Sequence, residues 1–169
     1  PAFEQPFREA FKIVQDNRQK AEFKAFFQDY EENLAQARAE SYLSIMREFF
    51  LAYDDFSQVI FRVKKGLGVD TDAAVTSAQF DKTKMFYGNA FEAYSSLVDI
   101  LAYLNNVSQG RPFDQFQTLT RKKYLELDKS SRFGPFDATP ALAALCLERD
   151  NQLRNASHHA SMKLASPEN

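Results

Sequence analysis

His158 and His159 are the only histidines in a chain of 169 residues, and they stand next to each other in the run Arg154-Asn155-Ala156-Ser157-His158-His159. Arginine neutralises a phosphoryl oxygen through its planar fork, and histidine moves protons near neutral pH. Together on one short piece of helix they suit phosphodiester chemistry. At about 100° per residue, Asn155 stacks with His159 on one helix face, and Arg154 stacks with His158. Glu148, Gln152, Asn155 and His159 form a polar stripe at 4-3-4 spacing. A polar stripe on a terminal helix is usually solvated surface, so residue types alone leave the bland reading in front.

The elements that position this segment follow from apolar spacing. Tyr42, Ile45, Phe49, Tyr53, Phe56, Ile60 and Val63 fit one buried stripe of a long helix. Lys64-Lys65 and then Gly66 and Gly68 should end it. Two earlier helical segments carry Phe3, Phe7, Phe11 and Val14, then Phe23, Phe26, Phe27, Tyr30 and Leu34, with a break at Asp16-Asn17. A second long helix starts near Asp70 or Thr71, carries Phe86, Ala90, Tyr94, Leu97, Leu101 and Leu104, and closes over Asn105–Gly110. Phe113, Phe116, Thr120, Tyr124 and Leu127 mark a third, and Ser130–Ala138 reads as a loop. Thr139-Pro140 is a start signal for a last helix running to about Leu164, with the Arg-Asn-His segment in its C-terminal half. The expected architecture is all-α: an up-and-down bundle of four to five antiparallel helices, forming a single domain over residues 1–169.

Composition supports that expectation. Seventeen Phe and seven Tyr without Trp imply a core built on aromatic rings. Five Gly and six Pro supply too few turns for a β-sandwich or barrel. A net charge of −2 gives no global attraction to nucleic acid, so RNA would have to be held by a local patch. One cysteine, Cys146 between Leu145 and Leu147, excludes an internal disulfide and reads as a small core residue. No signal peptide or membrane span is visible, so the expected setting is soluble and cytoplasmic. A first residue of Pro1 suggests processing or a longer parent chain.

Arg154-Asn155-x-x-x-His159 on the last helix of an all-α bundle resembles the R-x4–6-H motif of the HEPN superfamily (higher eukaryotes and prokaryotes nucleotide-binding domains), in which the residue after Arg is commonly Asn, His or Asp. The motif covers six residues, and the architecture covers most of the chain. The resemblance implies a metal-independent endoribonuclease without a cofactor, its composite site built at a homodimer interface. Arg154 would stabilise charge on the phosphoryl oxygens. His159 would transfer protons as the RNA 2′-hydroxyl attacks phosphorus, and Asn155 would orient His159 or hydrogen-bond the phosphate. The products would be a 2′,3′-cyclic phosphate and a 5′-hydroxyl. The alternative pairing of Arg154 with His158 leaves His159 structural. A toxin or defence setting, with an antitoxin or regulatory domain as partner, is likewise what the resemblance implies. Its alternatives are a non-catalytic RNA-binding, nucleotide-binding or dimerisation module, and a helical adaptor whose histidines are incidental.

Other candidates are weaker. Arg121-Lys122-Lys123 could touch RNA phosphates, although a three-residue basic run is more often a solvated helix face. Arg62, Lys64 and Lys65 read as complements to a helix dipole. Gly66-Leu67-Gly68 lacks the preceding strand and following Gly-Lys-Ser/Thr of a phosphate loop. Glu92 and Asp99 read as surface carboxylates. Ser157 beside His158 has no carboxylate at a spacing that would orient the imidazole. Both histidines already belong to the motif, and no Asp/Glu/His/Cys cluster has metal-ligand spacing.

Overall fold

The computed structural model describes residues 4–68, 80–147 and 149–158, without the side chains of Asp55, Phe56, Gln58, Val59, Phe80 and His158. The described residues are all-α. Nine α-helices run Glu4–Asn17 (α1), Ala21–Asn33 (α2), Ala35–Leu51 (α3), Tyr53–Lys64 (α4), Phe80–Leu97 (α5), Asp99–Ser108 (α6), Arg121–Glu126 (α7), Pro140–Ala143 (α8) and Asn151–His158 (α9). Two 3-10 segments, Ser131–Phe136 and Ala144–Cys146, lie between α7 and α9. One isolated antiparallel bridge, Gln115 to Thr120, is the β pairing among the described residues. No described helix is long and apolar enough to cross a membrane.

The chain forms two compact units. The first joins the residues up to Glu40 with Glu92–Arg149; the second joins Ser41–Phe91 with the residues from Asp150 onward. In the first unit α6 is the central element, packed against α1, α2 and the segment Ser131–Phe136, while α1 also packs on α8. Ala102, Tyr103, Leu104 and Val107 of α6 are buried together with Phe26, Tyr124, Phe133, Phe136, Leu142 and Cys146. Tyr103 is the hub of a ring network: Phe26 and Phe113 each have centroids 5.8 Å away, Phe116 lies at 6.0 Å, and Phe116 stacks on Tyr124 at 4.4 Å. The expected aromatic core is present in this unit, with Cys146 part of it.

Two helix ends follow the sequence signals closely. Gly66 has φ +65°, Gly66 N–H donates to Val63 O (3.0 Å), and Leu67 N–H donates to Arg62 O (3.0 Å). Gly110 has φ +77°, its N–H donates to Val107 O (3.1 Å), and Arg111 N–H donates to Asn106 O (2.9 Å). Each is a Schellman cap, in which a left-handed glycine turns two later N–H groups back onto orphan carbonyls. The end of α1 at Asn17 also matches the expected break; the Asn17 amide donates to Ile13 O at 2.7 Å.

Elsewhere the backbone departs from the periodicity. The second long helix is interrupted at Val98, between Leu97 and Leu101, and the long helix over residues 42–63 is interrupted at Ala52. Its stripe is not a buried face throughout: Tyr42, Tyr53 and Val63 are exposed, and α3 contains no fully buried residue. The start near Asp70 or Thr71 and the position of Phe3 lie outside the described residues. The third helix is cut to Arg121–Glu126, because Thr120 is extended and its Oγ1 accepts the Lys123 N–H (3.3 Å) as an N-cap. Phe113 and Phe116 reach the ring network from non-helical backbone. Ser130–Ala138 is not loop throughout. The Asp128 carboxylate accepts the N–H groups of Ser130 (3.0 Å) and Ser131 (3.1 Å), starting a 3-10 turn that buries Phe133 and Phe136 at eclipsed i, i+3 positions.

Candidate functional site

The last helix is not continuous from Pro140. Its first part, α8 and the segment Ala144–Cys146, belongs to the first unit, where the Tyr94 hydroxyl donates to Leu145 O (2.6 Å) and lies 3.3 Å from Cys146 Sγ. A new helix, α9, starts at Asn151 in the second unit. Its start is chemical: Asp150 Oδ1 accepts the Leu153 N–H at 2.9 Å, the geometry of an N-cap. Arg154 and Asn155 are therefore the fourth and fifth residues of a helix that starts at Asn151, not part of the C-terminal half of a long helix from Pro140.

Arg154 N–H donates to Asp150 O (3.0 Å), the bond that closes the first turn. The same carbonyl accepts the Tyr87 hydroxyl of α5 at 3.2 Å, which ties the helix start to its neighbour within the second unit. Arg154 is half-buried, and its Nη1 donates to Asn155 Oδ1 at 2.8 Å. Asn155 and Gln152 are exposed. Ser157 is 1% exposed and its hydroxyl donates to Arg154 O at 2.7 Å, a back-bond that satisfies it as a structural residue. His158 is the last described residue of α9, one turn beyond Arg154. The His158 side chain, all of His159 and Glu148 lie outside the described residues, as does the expected continuation to Leu164.

Two contributors to this geometry had gone unassigned: Asp150, which caps the helix, and Tyr87, which holds its first carbonyl. The Asp150-Asn151-Gln152-Leu153 run carried an N-cap signal that the Thr139-Pro140 start obscured. Tyr87 is remote in sequence and carried none. The Asp150 carboxylate also occupies the positive end of α9, so attraction of a phosphate by this helix must come from Arg154 and not from the helix dipole.

The basic run on α7 is divided in its roles. Arg121 forms a two-pronged ion pair with Asp29 (2.7 and 3.4 Å) and lies over the rings of Tyr103 (5.4 Å) and Phe113 (5.6 Å). Burial lowers its proton affinity, but the hydrogen bonds it donates to the Asp29 carboxylate outweigh that effect and leave it raised. Its fork is thus engaged in holding α7 to α2, while Lys122 and Lys123 are exposed. Arg62, at the end of α4, donates to Gly68 O at 3.2 Å.

Asp99 is not a surface carboxylate. It is 1% exposed at the first position of α6, ion-paired with Arg38 of α3, and burial holds its carboxyl above the ordinary range against the opposing charge of Arg38. Glu92 is half-buried.

Compared with protein-family models, curated proteins and solved structures, the chain matches none.

Proposed function

We propose that the chain is a metal-independent endoribonuclease of HEPN type, cleaving RNA by attack of the 2′-hydroxyl on the adjacent phosphorus. The observation that carries this reading is the Arg154–Asn155 pair. A guanidinium and an amide are hydrogen-bonded to each other at 2.8 Å on a capped helix, with His158 one turn further on. The bond holds the Arg154 guanidinium against Asn155, and in this scheme the guanidinium charge stabilises the charge developing on a phosphoryl oxygen. His159 supplies proton transfer in this scheme, with His158 the less favoured candidate; Asn155 positions Arg154 or the phosphate. Cleavage leaves a 2′,3′-cyclic phosphate and a 5′-hydroxyl, and the two-motif site forms between two copies of the chain.

The test is purified protein with single-stranded RNA in excess EDTA. Cyclic-phosphate ends are expected, with no cutting of the same sequence carrying 2′-deoxyribose. Arg154→Ala and His159→Ala each reduce the rate on the order of 10²-fold or more, the usual loss when an acid–base or charge-stabilising group is removed. Cutting that survives both changes removes the proposed site. RNA binding without cleavage by the wild-type chain assigns it to the non-catalytic binding module instead. That second reading draws support from the same bond, since Asn155 holds one arm of Arg154.

A further inference from the structure

A separate group of reactive side chains lies in the first unit, around the last turn of α5. Lys129 Nζ donates to Ser96 Oγ, and Ser96 Oγ donates in turn to Glu92 O at 2.9 Å. Arg38 Nη1 donates to the carbonyl of the same serine while its Nη2 pairs with Asp99. Ser96 and Lys129 are both partly exposed, whereas Ser95 and Asp99 beside them are buried. A hydroxyl and an amine are thus in direct contact at the edge of a core, with a guanidinium fixed next to them by two bonds.

The electrostatic setting favours loss of a proton from the amine. Burial lowers the affinity of Lys129 for its proton, and the charges of Arg132, on the segment Ser131–Phe136, and of Arg38, on α3, act in the same direction. Glu92 of α5 and Asp99 of α6 oppose them without reversing the result. Once Lys129 is neutral its lone pair can accept, and rotation of the Ser96 hydroxyl away from Glu92 O makes it the donor to Lys129.

We propose that Ser96 and Lys129 form a nucleophile–base pair that takes activated acyl electrophiles, with carboxylic esters as the substrate class. Neutral Lys129 accepts the Ser96 Oγ proton as Oγ bonds to the ester carbonyl carbon, and the carbonyl π pair moves onto its oxygen. The charge of Arg38, held by Ser96 O and Asp99, adds a fixed positive potential at this end of α5 that favours the oxyanion. Collapse of the adduct breaks the bond to the alkoxide, which leaves with the proton from the Lys129 ammonium. Water then repeats the sequence at the acyl-serine, releasing the carboxylic acid and restoring Ser96–H and neutral Lys129. The arrangement is independent of the Arg154 segment and stands or falls without it.

The experiment is exposure of the full chain to a fluorophosphonate probe, followed by peptide mass spectrometry. Ser96 Oγ bonds to phosphorus, fluoride leaves, and the serine proton passes to Lys129. The expected result is an adduct at Ser96, formed faster as pH rises through the lowered titration of Lys129. Lys129→Arg keeps the cation and the donor but cannot accept a proton, and should slow labelling on the order of 10²-fold, with circular dichroism checking the fold. Absence of a Ser96 adduct, a flat pH profile, or equal labelling in Lys129→Arg overturns the proposal. If Lys129→Arg does not fold, the wild-type adduct and its pH profile decide alone.

Discussion

The Arg38–Asp99 pair offers the sharpest test of how the first unit is held together. Asp99 is 1% exposed and the Arg38 side chain 16%, so both charges have been largely removed from water. One carboxylate oxygen accepts from Arg38, while Oδ1 has no hydrogen-bond partner among the described residues. Burial outweighs the opposing charge of Arg38 and leaves the Asp99 pKa raised. Removing one partner strands the other: Asp99→Ala leaves a mostly buried guanidinium, at a cost of about 3–5 kcal/mol. Replacing both, as Arg38→Met with Asp99→Leu, removes both desolvation penalties and should fall between neutral and about 1–4 kcal/mol stabilising. The assay is urea unfolding of wild type, both single variants and the double variant, read at constant m-value so that midpoints report stability. A double variant as unstable as the sum of the singles would refute the pairing argument, because uncoupled residues add. The sign of the pH effect gives a second check. With its folded pKa above the unfolded value, Asp99 contributes stability below the unfolded pKa and loses it as pH rises through the folded one. Wild type should therefore lose stability over that interval relative to Asp99→Asn, whose side chain does not titrate.

Four further outcomes follow from the same geometry. Asp128, with its carboxyl held down at about 2 first by the Ser130 and Ser131 hydroxyls, contributes stability present above the unfolded carboxylate pKa and lost as pH falls from there through its folded value; Asp128→Ala should flatten that acid limb of a stability–pH curve. Gly66→Ala and Gly110→Ala should each cost about 1–2 kcal/mol, since both glycines have positive φ and open space at the Cβ position; thermal melts measure it. Asp150→Ala should remove the cap of α9 at a cost of about 1 kcal/mol and lower RNA cleavage, while Asp150→Asn retains both. Arg121→Lys should destabilise by breaking the two-pronged bond to Asp29 and the ring contacts, whereas Lys122→Ala should leave the melting temperature unchanged.

Helix ends governed by one residue were legible in the sequence, and ends governed by tertiary partners were not. Gly66 and Gly110 each act through their own backbone freedom, so a glycine after a helical pattern was enough to place the stop. The stretch Phe113–Leu119 shows the opposite case. Phe113 and Phe116 are spaced like one helix face, but that spacing records only which side chains must reach Tyr103, and a turn can deliver them as well as a helix. Periodicity likewise made Asp99 look superficial. It falls on the polar side of a helix whose stripe runs through Leu97, Leu101 and Leu104, and only Arg38, sixty-one residues away, gives that polar side a buried partner.

The candidate site divides along the same line. Arg154 and Asn155 were recognisable because they are adjacent and their bond is local, whereas the start of α9 was misplaced because Thr139-Pro140 supplied an earlier and stronger signal. Asp150 supplies a second N-cap eleven residues after Thr139. The physical consequence is that Arg154 sits in the first turns of a helix whose register is set by Asp150 and Tyr87, not by a long rod reaching back to Pro140. A long rod would transmit changes at α8 directly to Arg154. A freshly capped helix insulates it, so perturbing the α8 start with Thr139→Ala should affect the first unit's stability and leave the Arg154–Asn155 chemistry intact.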